Sequence, residues 1–540
     1  MSIKSTMMDF PLSLPHLVER IGLLFPQVEV VSRMPDKSLH RTNYLQIQQR
    51  AKQLASALTR AGIEKGDCVA TLMWNHFAHL EAYLGIPSMG GVIHTLNLRL
   101  SAEDLSYIVN HAEDKVLIVD DVLLPLYEKI KHQVAFKKII VVPLTGEVVA
   151  DQYLNYESFL AAEDSNFIYP DIDENDAAGM CYTSGTTGRP KGVVYSHRST
   201  ILHSMTEAMS DVLGISQRDV VTAVVPMFHA NAWGLPYTSV MVGAKQVLPG
   251  PYLDAESLLD LYEQEQVTLS AGVPTIWMAI KQARENEPDR WKTAPNMRMA
   301  VGGAAVPESL FRAFDKFDMK IIQAWGMTET SPLASVGQLK TKQLNSDEDT
   351  QYKYRIKQGV SLPFVEVRLI NDEGIEQPWD GKSQGEIQLR GPWVTASYHK
   401  NEGADDKFSV DGWLRTGDVC NIDPDGYIKL TDRTKDLVKS GGEWISSIDL
   451  ENAIMGHPDV LEAAVIAVAH PKWDERPLAV VVLKEGKQLS KEDLHIFLEE
   501  KFAKIWLPDA VVTLDEIPKT STGKFMKLAL RELFENWQWD

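Results

Sequence analysis

The 540-residue sequence predicts an α/β protein: a large N-terminal domain of two helix-covered sheets with a small β-barrel-like subdomain, then a small α+β C-terminal domain. Three observations predict it. Over the first three-quarters, short apolar runs alternate with amphipathic runs of helical period, which implies parallel sheets covered by helices. From Gly359 to about Tyr427 the pattern changes to short strands punctuated by Gly and Pro, a β-rich subdomain at about 355–430 with the look of a small barrel or distorted sheet. After Asp432 a fresh helix–strand order begins. It supplies enough chain for a domain at 435–540, leaving 1–434 as the N-terminal domain.

Each element has its own signal. Tyr44, Ile47, Ala51, Leu54, Leu58 and Ala61 recur at spacings of three and four, one face of a helix. Residues 68–74 read as a buried strand, 80–89 as a helix, 92–96 as a strand, 101–111 as a helix capped by Ser101, and 115–120 as a strand. Strand-like 177–182 precedes a helix beginning at His197. The alternation returns at 219–226, 255–266, 268–273, 274–284, 297–303 and 320–326. In the last unit, 447–457 is a helix, 460–470 and 478–484 are strands, and 490–502 is a helix capped by Ser490.

Composition excludes several classes. With 44% hydrophobic and 24% charged residues, the chain is that of a soluble globular protein too long for one compact core. No apolar run reaches membrane-spanning length, and Asp9, Glu19 and several prolines argue against a signal peptide. Cys68, Cys181 and Cys420 lack metal-ligand spacing, which fits a reducing cytoplasm. A net charge of −20 excludes nucleic acid as a partner and disfavours a basic membrane-binding face. Transient membrane contact to collect a lipid-like substrate stays compatible with it. Any anionic substrate must then be drawn in by local cations.

The most informative stretch is residues 182–192, Tyr-Thr-Ser-Gly-Thr-Thr-Gly-Arg-Pro-Lys-Gly. Such a loop bends sharply, brings backbone N–H groups near an anion, and sets hydroxyls beside a cation, the chemistry of a triphosphate cradle. It is not a Walker A loop, because Arg189-Pro190 separate Gly188 from Lys191 and no Ser or Thr follows. Alone, it would as readily be a flexible surface turn. Four companions decide: Gln-Ala-Trp-Gly-Met-Thr-Glu-Thr at 323–330, Leu-Arg-Thr-Gly-Asp-Val at 414–419, residues 432–446 beginning Asp-Arg-Thr-Lys-Asp, and Pro-Lys-Thr-Ser-Thr-Gly-Lys at 518–524.

In order and spacing these five motifs resemble the acyl-adenylate-forming superfamily of acyl-CoA synthetases, luciferases and peptide-synthetase adenylation domains. The resemblance covers nearly the whole chain. It implies that Thr183, Ser184, Gly185, Thr186, Thr187, Gly188 and Lys191 wrap the β- and γ-phosphates of ATP, and that Thr183 and Glu329 hold Mg²⁺. Gln323, Ala324, Trp325, Gly326 and Thr328 are implied around the adenosine, with Gly302, Gly303 and Ala304 giving close backbone approach. Trp325 stands where the family usually has Tyr, so stacking is kept in a reshaped pocket. Asp418 would receive the ribose hydroxyls, since one carboxylate suits a vicinal diol. Arg433 and Lys435 would face the nucleotide, and Lys435 is the implied hinge of a mobile C-terminal domain.

Lys524 is implied as the adenylation catalyst. Lys439 and Trp444 carry over as further nucleotide-side groups, Lys439 with a catalytic role beside Glu329. Gly441, Gly442 and Glu443 belong to the loop implied for CoA. Residues 227–237 would bound the acyl site through His229, Trp233 and Gly303, with Trp233 as gate over an apolar tunnel; Ala230 and Trp233 would also meet the nucleotide. A carboxylate is already ionised at neutral pH, so His229 is a pocket or CoA-channel residue rather than a base.

The implied reaction is ATP + carboxylate + CoA → acyl-CoA + AMP + pyrophosphate through an acyl-adenylate. The sequence looks most like medium- to long-chain fatty-acyl-CoA ligases, close to the 3-methylthiopropionate ligases. A short, sulfur-containing or aryl acid is the alternative, and a non-catalytic nucleotide- or acyl-binding protein the remote one. The resemblance further implies a cytoplasmic homodimer.

Overall fold

A computed structural model describes residues 3–183, 189–401, 406–433, 435–440, 443–520 and 524–539, with backbone alone at 401 and 443. Two large sheets form the N-terminal part. The seven-stranded one runs Leu154–Asn155, Lys138–Val142, Val116–Asp120, Cys68–Leu72, Val92–Thr95, Ala177–Tyr182 and Gly192–Ser196, parallel except for the last pair. The nine-stranded one has a parallel centre of Met319–Gly326, Met297–Val301, Leu269–Gly272, Val220–Ala223, Lys245–Leu248 and Glu29–Arg33. Antiparallel strands close both of its edges.

The central strands Cys68–Leu72, Val92–Thr95 and Val116–Asp120 are buried at every position, as parallel strands covered on both faces must be. The helix Phe77–Ser88 is likewise buried along its whole length, in the largest apolar core, against the amphipathic helix Tyr44–Arg60. Local chemistry sets the helix starts. Asn43 and Gln46 form a capping box, and the side chains of Ser101 and Ser490 accept the N–H groups of Asp104 and Asp493 at 3.1 and 3.0 Å.

Two features refine the expectations. The helix His197–Glu207 does not follow the glycine-rich loop directly, because Gly192–Ser196 first pairs antiparallel with Ala177–Tyr182 and makes the loop a hairpin. Of the two forms expected for the β-rich subdomain, the structure has the distorted sheet: Glu366–Ile370, Gly385–Arg390, Leu414–Ile422 and Ile428–Arg433 pair antiparallel in an open four-stranded layer. Register breaks between Glu386 and Gln388 and between Val419 and Cys420 distort it.

The small C-terminal unit has its own five-stranded sheet, centred on Val460–His470 and Asp474–Leu483, and its own apolar cores on the two faces. Among the described residues, no helix is long and apolar enough to cross a membrane.

Candidate active site

A cavity of about 410 Å³ opens where strands of both parallel sheets end. Thr183 follows the strand Ala177–Tyr182, Val225 follows Val220–Ala223, Val273 follows Leu269–Gly272, and Gly302 follows Met297–Val301. Ala324, Trp325 and Gly326 close the strand Met319–Gly326. Ligands of doubly wound sheets bind at such carboxyl-end crevices. Lys524 reaches the same cavity from the small C-terminal unit.

The base of the glycine-rich hairpin is pinched shut. Thr183 N–H donates to Lys191 O at 2.9 Å, and Lys191 N–H to Thr183 Oγ1 at 3.1 Å. Ser184, Gly185, Thr186, Thr187 and Gly188 lie outside the described residues. The Lys191 ammonium is 5.1 Å from the centre of the Tyr398 ring, whose hydroxyl donates to Glu329 Oε1 at 2.7 Å. Tyr195 O–H donates to Thr328 O at 2.8 Å and anchors the same turn. Glu329 is buried, yet among the described residues it makes no ion pair.

Gly302 and Gly303 are needed for close approach. A Cβ on Gly302 would meet Trp233 Cη2 at 3.1 Å; one on Gly303, at φ +89°, would meet Lys524 Cε at 3.0 Å. Burial, then the nearby Arg433 guanidinium, lowers the Lys524 ammonium to about 8, against the pull of Asp418 and Glu329. His229 is pushed down to about 4 by burial and by the Lys524 and Arg99 cations, so its ring is neutral at pH 7. Arg189, Lys191, Lys407, Arg433 and Lys435 complete a cationic lining in an acidic protein.

The wall beside His229 has an unusual backbone. Ala230, Asn231, Ala232 and Trp233 are all left-handed, with φ of 43, 53, 49 and 58°, and Gly234 follows at 84°. Such a conformation costs non-glycine residues roughly 1–2 kcal/mol each, so neighbours must hold it. Asn75 Oδ1 accepts Met227 N–H at 2.7 Å, Thr95 Oγ1 donates to Phe228 O at 3.2 Å, and Tyr83 O–H donates to Met227 O, with Asn231 Oδ1 3.4 Å away as the weaker acceptor. Behind the turn, Glu207 is fully buried and receives the Thr238 hydroxyl, while its Oε1 has no hydrogen-bond partner among the described residues.

Several predicted residues stand elsewhere. Gln323 does not line the cavity; its buried side chain donates to Ala304 O at 3.4 Å. Ala304 lines a neighbouring cavity of about 490 Å³ that shares Gly303 and Lys524 with the first. Lys439 and Trp444 are paired 4.6 Å apart on a C-terminal hairpin outside the cavity, because Lys524 presents the other side of the small unit to it. Gly441 and Gly442, and the side chain of Glu443, lie outside the described residues. Asp418 sits at the rim, bonded to Trp325. Tyr398 and Tyr195 were missed: an isolated Tyr in a Gly-poor loop or a short edge strand carries no local signal.

Two wound sheets meeting at a cation-lined crevice, with a separate small unit inserting a lysine, define a two-domain enzyme. Residues 25–399 match the AMP-binding enzyme family and 449–524 the AMP-binding enzyme C-terminal domain, so the chain belongs to the AMP-binding enzyme family. Within it the chain is an acid–thiol ligase of the acyl-CoA ligase kind. It is 49% identical to a long-chain-fatty-acid–CoA ligase of Thermus thermophilus, over 99% of this chain and 97% of that one. It is 43% identical to a 3-methylmercaptopropionyl-CoA ligase of Ruegeria lacuscaerulensis, over 98% of both. The crystal structure of the anthranilate CoA ligase AuaEII in complex with anthranoyl-AMP superposes with a TM-score of 0.85 at 25% identity, covering 97% of this chain and 98% of that one.

Proposed function

We propose that this protein is a fatty-acid–CoA ligase that forms acyl-CoA, AMP and pyrophosphate from ATP, a fatty acid and CoA through an acyl-adenylate. The observation that carries this reading is the insertion of Lys524 into the cavity that holds Thr183, Trp325 and Glu329 and is walled by Trp233. The fatty-acid carboxylate attacks the α-phosphorus while pyrophosphate leaves, and charge spreads over the phosphate oxygens. Positioned cations therefore supply most of the catalysis. The Lys524 ammonium neutralises charge at the forming acyl-phosphate, Lys191 and the glycine-rich hairpin take the outer phosphates, Trp325 offers its face to adenine, and Asp418 receives the ribose. Neutral His229 lines the acyl side without removing a proton.

Glu329 and Thr183 fit Mg²⁺. The buried Glu329 carboxylate takes the Tyr398 hydroxyl and has no ion-pair partner among the described residues, so a cation can be accommodated beside it, and a carboxylate with a hydroxyl oxygen suits a hard cation completed by waters and phosphate. The ion would offset phosphate charge when bound.

The two domains are 1–434 and 435–540. Rotation about Lys435 withdraws Lys524 after adenylation and brings in the hairpin of Lys439, Gly441, Gly442, Glu443 and Trp444 for attack by the CoA thiol. The enzyme works as a cytoplasmic homodimer, with transient membrane contact to collect its acid.

A second reading, a short sulfur-containing acid, is favoured by the likeness to the Ruegeria enzyme and by Trp233, which stands against the cavity with Gly302. CoA-dependent AMP release over acids from C2 to C18 plus 3-methylthiopropionate separates the two. The proposal expects a maximum among medium and long chains; a maximum at 3-methylthiopropionate overturns it.

A further inference from the structure

The rim of the cavity joins two sheets through one hydrogen bond. Trp325 ends the strand Met319–Gly326 of the nine-stranded sheet, and Asp418 lies in Leu414–Ile422 of the open four-stranded sheet. The indole Nε1–H of Trp325 donates to Asp418 Oδ2 at 2.9 Å. Arg433, the cross-strand partner of Asp418, places its Nε 3.4 Å from Oδ1. The Asp418 backbone N–H donates to Thr416 Oγ1 at 3.1 Å, which fixes the peptide as well. The Asp418 side chain is 13% exposed and Trp325 is buried.

A carboxylate offers about four acceptor positions, two on each oxygen. Trp325 occupies one on Oδ2, and Arg433 stands by Oδ1. Among the described residues one position on each oxygen is left, and a vicinal diol needs one acceptor per oxygen. An indole N–H is a donor only, so it cannot turn round and compete with the diol for a proton. A phenyl ring could stack as well but would leave the carboxyl held by Arg433 alone about χ2, a broad torsion without strong minima.

We propose that Trp325 is a positioning residue for the ribose: its indole N–H holds the Asp418 carboxylate in the orientation that presents one acceptor on each oxygen to the 2′- and 3′-hydroxyls. The role is separate from stacking on adenine, and it rests on the reading of Asp418 as the ribose acceptor. Arg433 is the second arm of the same clamp, and it also ends the strand that leads into the small domain.

The test is acid-dependent ATP–pyrophosphate exchange with ATP, 2′-deoxy-ATP and 3′-deoxy-ATP on the full-length enzyme, Trp325→Phe and Asp418→Asn. Trp325→Phe is expected to raise KM for ATP about tenfold, the size of a hydrogen bond to a charged group, with kcat little changed. The KM values of the deoxy nucleotides should rise less, so the preference for ATP shrinks by a similar factor. Replacing Trp325 with benzothienylalanine, which keeps the bicyclic shape and lacks the N–H, should reproduce the Phe result if Phe folds poorly. Asp418→Asn separates the two layers. If it abolishes ribose preference while both Trp325 replacements keep the wild-type preference, the positioning role is overturned and the ribose site stands. If Asp418→Asn itself keeps wild-type preference, the ribose reading falls, and this inference with it.

Discussion

Gly234 closes directly on the buried carboxyl of Glu207: a Cβ at Gly234 would lie 3.0 Å from Glu207 Oε2 and 2.7 Å from His203 Nδ1. The left-handed turn that carries Trp233 thus ends against a polar pair inside the protein, at φ +84°. Gly234→Ala meets both the conformational and the steric penalty, and the loss of stability should exceed about 2 kcal/mol. Urea unfolding would measure it. A midpoint within error of wild type would mean the turn relaxes freely, and the account of the gate wall would be wrong.

Glu207 also makes stability depend on pH. Burial raises its carboxyl to about 8 against the opposing Thr238 hydrogen bond, from an ordinary value near 4.5. Between these values the folded chain holds a proton that the unfolded chain has released. This contribution is fully present below about 4.5 and is lost as pH rises through about 8, with a slope of at most ~1.4 kcal/mol per pH unit. Glu207→Gln keeps the neutral shape and removes the linkage. Its melting temperature should gain on wild type from pH 6 to pH 9; parallel curves would show that Glu207 is not the titrating group.

Lys524→Ala should lose adenylation by roughly 10²–10³, the worth of one preorganised charge at the transition state. Pre-made acyl-adenylate with CoA should still yield thioester. In the wild type, kcat/KM for adenylation should fall above pH 8, where the free enzyme's Lys524 loses its proton. Equal losses in both half-reactions would remove its assignment as the adenylation-specific group.

Lys435→Pro should slow overall turnover well beyond Lys435→Ala, with pyrophosphate exchange alike in the two, because a fixed φ at the pivot hinders rotation of the small domain. Stopped-flow comparison of the two half-reactions would show this. Unchanged turnover would place the pivot elsewhere.

Strand–helix alternation was legible because burial on both faces leaves continuous apolar runs at Cys68–Leu72 and Val116–Asp120. The strand Gly192–Ser196 was not, since a five-residue edge strand between a glycine-rich loop and a capped helix has no period of its own. Motif order was enough to bring Thr183, Trp325, Glu329 and Lys524 to one cavity. It could not supply pairings between distant side chains: Tyr398 with Glu329, or Trp325 with Asp418 across 93 positions, depend on how sheets meet. Nor could it show four consecutive left-handed residues, because Ala-Asn-Ala-Trp has no glycine to announce them. Lys439 carried a motif but not a position, since motif membership says nothing of which side of a domain faces the cavity.

The left-handed turn has a consequence for remodelling the acyl pocket by directed evolution. β-Branched and bulky residues are outliers at positive φ, so randomising Ala230, Asn231 or Ala232 would fill a library with misfolded clones, whatever the chain length sought. Val225, Val273 and Leu333 line the same cavity from ordinary backbone and carry no such restriction. Diversity spent on those three positions would sample pocket shape while leaving the scaffold of the turn intact.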